Sequence, residues 1–148
     1  MSKVLTFGGG GGLTLNSGSA VSANAALIPD LIGFSYSPAL ETRYSLGDNS
    51  LKAIAGLGVM GPLGFFGYPY ARASAVYDTH DNLFTPGAEV GFLAPSAMDL
   101  FVGGTGLGLE IKATTNDIRD PMGSVGFMLY VTGNFSLYRC PPDVCYAD

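Results

Sequence analysis

Residues 107–114, LGLEIKAT, place Leu107, Leu109, Ile111 and Ala113 on one side of an extended chain and Glu110 and Lys112 on the other. A period of two residues belongs to a half-buried strand and not to a helix. Leu107, Leu109, Ile111 and Ala113 are expected to pack inward, with Glu110 and Lys112 outward in solvent. The same period recurs in SVGFMLYVTG (124–133), where Val125, Phe127, Leu129 and Val131 oppose Met128 and Tyr130. In YARASAVY (70–77), Ala71, Ala73, Ala75 and Tyr77 oppose Tyr70, Arg72, Ser74 and Val76, and LIGFSY (31–36) aligns Ile32, Phe34 and Tyr36.

Turn residues separate these runs at LGDNS (46–50), DTHDN (78–82), TPG (85–87), GGTG (103–106) and DPMG (120–123). APSAMDLF (94–101) reads as one helical turn. SAVSANAA (19–26) reads as a short helix or another extended piece, stopped in either case by Pro29. No stretch sustains an apolar pattern at helical spacing. The pattern predicts an all-β fold, an antiparallel β-sandwich or barrel with jelly-roll-like character.

The chain opens differently. Residues from Val4 to Pro29 carry no charge, and Gly8 to Gly12 are five consecutive glycines. Glycine loses more freedom on ordering than any other residue. Residues 1–18 are therefore expected to form an extended N-terminal arm, and 19–148 a single β-rich domain. A solvated tail usually carries charge, so this neutral arm, with Leu13 and Leu15, is expected to lie against a partner. It lacks a basic segment leading into a continuous apolar run, so no secretory signal is expected.

Charged residues make up 13% of the chain, against about 25% in ordinary domains, and the net charge is −5 with 22 glycines. The seven cations are scattered singly, so no basic stripe is available for phosphates or an anionic membrane surface. Neither nucleic acid nor membrane is an expected partner.

AIAGLGVMGPLGFFGYPYA (53–71) lies uncharged between Lys52 and Arg72 and contains a literal G-x-G-x-x-G at Gly56–Gly61. A dinucleotide site needs a helix after that motif, and Pro62, Gly64, Gly67 and Pro69 deny one. The same residues argue against a transmembrane helix. A loop with adjoining strand ends remains. Its rings either fold back on the core or, with Leu63, Phe65, Phe66, Tyr68 and Tyr70, form an intersubunit contact, since interface centres favour aromatics over Lys and Glu.

Signals for chemistry are sparse. The one histidine, His80, sits in a polar turn and has no set of ligands at zinc spacing. No G-x-S-x-G elbow is present. Glu41, Glu89 and Glu110 are the only glutamates; carboxylates that meet only in space are open as a hydrolytic pair, but Glu110 reads as solvated. No catalytic residue, cofactor or metal site is expected. Cys140 and Cys145 frame CPPDVC. A small-loop disulfide there is sterically open, with reduced thiols the alternative inside a cell.

YARASAVYDTHDNLFTPGAEVGFLAP together with DIRDPMGSVGFMLYVTG, about residues 70–133, resembles small β-sandwich or β-barrel virion proteins of tailed bacteriophages, of the head decoration (cement) type. The features carrying the likeness are Tyr70-x-Arg72-Ala73-Ser74, the Thr85-Pro86-Gly87 turn, and the alternating strand after Gly123. The resemblance implies a non-catalytic structural protein, assembled into virions in the host cytoplasm. Arm and aromatic loop would hold major capsid protein or other subunits, and the chain itself would oligomerise. The alternative is a carbohydrate- or receptor-binding module of a tail fibre or adhesin.

Overall fold

The computed structural model describes residues 4–15, 18–28, 34–62, 67–94 and 105–136. They form nine strands: β1 (Val4–Thr14), β2 (Gly18–Ile28), β3 (Ser35–Tyr36), β4 (Ala39–Ser45), β5 (Ser50–Met60), β6 (Tyr68–Asp78), β7 (Leu83–Ala94), β8 (Thr105–Thr115) and β9 (Val125–Ser136). A single 3₁₀ turn, Met122–Ser124, leads into β9.

Apart from β3, which pairs with β5, each strand pairs antiparallel with the staves next to it in sequence, β2 passing over β3 to pair with β4. The β1–β9 and β5–β6 pairings complete the ring. Short β3 keeps the register of β4 along β5, with Ser35 opposite Met60 and Ala39 opposite Gly56, and only Ser37 and Pro38 interrupt the line. The architecture is an eight-stave, up-and-down closed barrel with β3 as an extra piece. It is neither a sandwich nor a jelly roll, because no connection skips a stave. Followed once round, the registers close with a stagger of about ten residues, which tilts the strands ~40° to the axis.

The expected arm is also corrected. Residues 4–14 are extended, but as a stave bonded on one side to β2 and on the other to β9. Two full ladders of backbone hydrogen bonds offset the ordering cost of five glycines. The glycines also let the wall bend. A Cβ on Gly10 or Gly12 would run into the carbonyl oxygen of Leu129 or Phe127 on β9, whereas one on Gly9 meets nothing within 4 Å. SAVSANAA becomes the body of β2.

Most turns fall where the sequence places them. LGDN (46–49) and THDN (79–82) reverse the chain with Asn49 and Asn82 at φ 53° and 50°, a region Asn tolerates. Thr85-Pro86-Gly87 is instead inside β7. Pro86 lies beyond the start of β8 pairing at Ala88, so its missing N–H breaks no ladder bond. Gly56 and Gly58 lie within β5 and form no phosphate loop. No helix among the described residues is long and apolar enough to cross a membrane. The stretch 94–101 lies outside the described residues apart from Ala94, which ends β7.

Candidate functional site

Closure gives the barrel an inside and an outside, and the two faces are assigned in reverse of the expectation. On β8, Leu107, Leu109 and Ile111 are 75%, 50% and 59% exposed, while Glu110 and Lys112 are 2% and 3% exposed. On β9, Phe127, Leu129 and Val131 face outward; Met128, Tyr130 and Thr132 are buried. All three glutamates, together with Arg43, Lys52, Arg72 and Lys112, point into the bore. Among the described residues, only Arg119 of the Lys and Arg side chains is outside it.

A buried charge is tolerated only when paired and hydrogen-bonded, and these are. Glu41 on β4 accepts from Arg43 Nη2 at 2.7 Å, Ser22 Oγ at 2.8 Å and Tyr130 Oη at 2.8 Å, all at one oxygen. Its other oxygen takes Lys112 Nζ, which comes from β8 on the opposite wall. Lys112 also donates to Glu89 Oε2 at 3.0 Å, and Arg72 Nη1 reaches Glu89 Oε1 at 2.7 Å. Arg72 donates onward to the Ser37 backbone and hydroxyl oxygens at 3.0 and 2.7 Å. Arg43 Nη1 extends the other end to Asn116 Oδ1 at 3.0 Å. Glu110 accepts from Asn24 Nδ2 at 2.6 Å and from the Tyr70 hydroxyl.

The network thus runs from Asn116, beside the short turns, to Ser37 near the opposite end. Its three carboxylates match Arg43, Arg72 and Lys112, and the Lys52–Asp78 pair at 3.2 Å adds no net charge. Aromatic faces complete the packing: the Arg72 guanidinium lies 4.0 Å from the Tyr70 ring centre and Lys112 Nζ 5.0 Å from that of Tyr130. Ile28, Met60, Tyr68, Tyr70 and Leu93 form an apolar layer toward the end that carries β1's start and β9's finish. An eight-stranded barrel has room for little more than such side chains.

Outside, leucine, isoleucine, valine and phenylalanine cover the staves, thinning to Ala23, Ala25, Ala53, Ala55 and Ala75 along a shallow groove over β2, β4, β5 and β6. Tyr44 and Tyr77 mark the short-turn edge, where they donate to Asn49 and Asn82 at 2.9 and 2.8 Å. Phe34 and Tyr36 mark the opposite edge. Beyond the first edge, His80 contacts Asp81 at 3.0 Å, and that hydrogen bond raises the imidazole pKa. The Arg119 hydrogen bonds lower the pKa of Asp117. A polar recess of about 190 Å³ at this mouth is lined by Lys52, Asp78, Thr85, Asn116 and Ser124. No group of three His, Cys, Asp or Glu residues with metal-holding geometry occurs among the described residues.

Of the expected contact residues, Leu13 and Leu15 face outward at 64% and 66% exposure. Tyr68 and Tyr70 are 2% and 5% exposed and belong to the barrel's own interior, which corrects their assignment to an intersubunit contact. Leu63, Phe65, Phe66, Cys140 and Cys145 lie outside the described residues. The network residues were missed as a site. Their signal was present: all three Glu and four of the seven Lys and Arg residues occupy strand positions, most of them between apolar neighbours.

No family model matches the chain, and no curated protein matches it. Solved structures that share its fold include two designed ones. One is from the de novo design of transmembrane β-barrels, with a TM-score of 0.63 and 15% identity over 88% of this chain and 94% of its own. The other is the solution NMR structure of the de novo designed TMB2.3, with a TM-score of 0.60 and 17% identity over 93% of this chain and 97% of its own.

Proposed function

We propose that this chain is a membrane-spanning β-barrel whose lumen is closed by its ion-pair network and whose role is structural, not catalytic. The observation that carries this reading is the inversion on β8, where Glu110 and Lys112 are enclosed while Leu109 and Ile111 are exposed. A lipid solvent rewards that arrangement. It accepts aliphatic side chains and demands that every backbone group be bonded within the protein, which a closed barrel achieves. Strands of 11 or 12 residues in seven of the staves have the length a tilted transmembrane strand needs. One of the two designed structures of the same fold comes from the design of transmembrane β-barrels, which agrees by analogy of fold alone.

Reinforcement of a virion shell would cover the same belt with neighbouring subunits. The belt runs around the barrel, from Leu13 and Phe7 through Val21, Leu57 and Val90 to Leu129, whereas a docked subunit covers one side. A bilayer covers all sides at once. The test is reconstitution by detergent removal into phosphatidylcholine vesicles, read by β-sheet circular dichroism and by a gel mobility that changes on boiling. The expected result is a folded barrel retained by vesicles and aggregated in buffer without amphiphile. A monodisperse, folded monomer in plain buffer would overturn the reading.

A further inference from the structure

We infer that ion exclusion in the closed lumen is set by an apolar ring beneath the ion-pair network, so that the bore is a vestibule wetted from the short-turn mouth alone; this rests on the membrane-spanning reading above. Ile28, Met60, Tyr68 and Leu93 are each 0–2% exposed. Followed through the registers at ~3.3 Å per residue and ~40° tilt, they stand within about 5 Å of one level along the axis. Thr6, Ser37 and Thr132 bring the inner faces of three more staves to that level, and they are as deeply buried. Gly108 on β8 adds no side chain there. The Tyr70 side chain, one layer further in, reaches Glu110 on β8 across β7, where a Cβ on Gly91 would lie 2.8 Å from its hydroxyl.

The polar atoms of the ring are committed to the protein. The Thr6 hydroxyl donates to the Ala26 carbonyl at 3.2 Å, and both Ser37 oxygens accept from Arg72. Thr132 Oγ1 has no partner among the described residues, but it is enclosed. An ion at this level sheds its water against apolar side chains, the condition under which a constriction excludes ions by dewetting. The network is different in kind, because its carboxylates and cations can exchange partners with water or a passing ion. The opposite mouth, about 20 Å along the axis, is polar. Its recess of about 190 Å³ reaches Lys52 and Asn116, and Asn116 accepts from Arg43, the first cation of the network.

The test has two arms, with folding checked by gel mobility in each. The first uses the full-length chain carrying Cys140→Ser and Cys145→Ser in phosphatidylcholine bicelles, which leave both mouths open to water. A charged methanethiosulfonate should modify the thiol of Thr85→Cys, in the recess, at least about tenfold faster than that of Thr132→Cys, in the ring. The second reads potassium leak from phosphatidylcholine vesicles. Met60→Ser with Leu93→Ser wets the ring and should raise the leak at least about tenfold over the unaltered chain. It should also exceed the leak of Lys112→Met with Glu41→Gln, which cuts the network and spares the ring. Leu93→Ser alone should act in the same direction, and it carries this arm where the double variant does not fold. Equal thiol rates at the two positions overturn the inference and leave the membrane reading standing. So does a folded ring variant that leaks no faster than the unaltered chain or the network variant. A chain that folds in neither bicelles nor vesicles overturns both.

Discussion

Lys112 on β8 and Glu41 on β4 meet across the full width of the bore, from staves on opposite walls. Glu41 is bonded on its other oxygen by Arg43, Ser22 and Tyr130, and Lys112 also holds Glu89. Residues far apart in sequence are thereby tied at one level of the barrel.

Lys112→Met should therefore destabilise the folded barrel by about 3–5 kcal/mol, because it strands Glu41 and Glu89 as buried charges. Adding Glu41→Gln should recover part of that loss, since one stranded charge is then removed. Urea unfolding in vesicles measures both. Additive losses in the double variant would show that the two side chains do not interact.

Glycines in the β1 wall are not equivalent. Gly10→Ala would push a methyl group into the Leu129 carbonyl on β9 and should cost about 3 kcal/mol or more. Gly9→Ala meets open space and should be neutral or stabilise by about 0.5–1 kcal/mol. The same urea titration separates them.

The outer belt makes a depth-dependent claim. Ile111→Arg, near the middle of β8, should cost about 2–4 kcal/mol in vesicles. Ile118→Arg lies in the connection after β8 and should cost about 0–1 kcal/mol. Equal and negligible costs would place both positions in water.

At the short-turn rim, His80 should titrate above its usual value of about 6.5, because the Asp81 carboxylate favours the imidazolium. Asp81→Asn should bring the value down. The sign follows directly: a raised folded-state pKa makes protonated His80 favourable below the ordinary value, a contribution lost as pH rises through the folded one. Proton chemical shifts of the ring against pH measure it, and a pKa unchanged by Asp81→Asn would contradict the contact.

Much of this fold is legible in the period of two. The strands through 70–77, 107–114 and 124–133 and the turns at 46–49 and 79–82 all stand where alternation and Asp/Asn/Gly chemistry put them. What alternation cannot carry is the sign of the faces. A strand with Leu109 and Ile111 on one side and Glu110 and Lys112 on the other is equally periodic in water and in lipid; only the solvent decides which side is inside. Placing leucines inward by the rule for water put Glu110 and Lys112 on the wrong face. The glycine run misled for a related reason: its order comes from β2 and β9, which lie outside any local window. Tyr68 and Tyr70 looked like contact residues because their neighbours carry no charge, yet both are buried in the interior, where Glu110 and Arg72 meet the Tyr70 hydroxyl and ring.

The inverted faces can be read residue by residue with a nitroxide scanned along 107–113 in a chain carrying Cys140→Ser and Cys145→Ser, folded in vesicles. Collision rates with oxygen, which concentrates in hydrocarbon, are compared with those of a water-soluble nickel chelate. High oxygen and low nickel access are expected at positions 109 and 111, with low access to both reagents at 110 and 112. High nickel access at 109 and 111 would place the leucine face in water and contradict the membrane-spanning barrel.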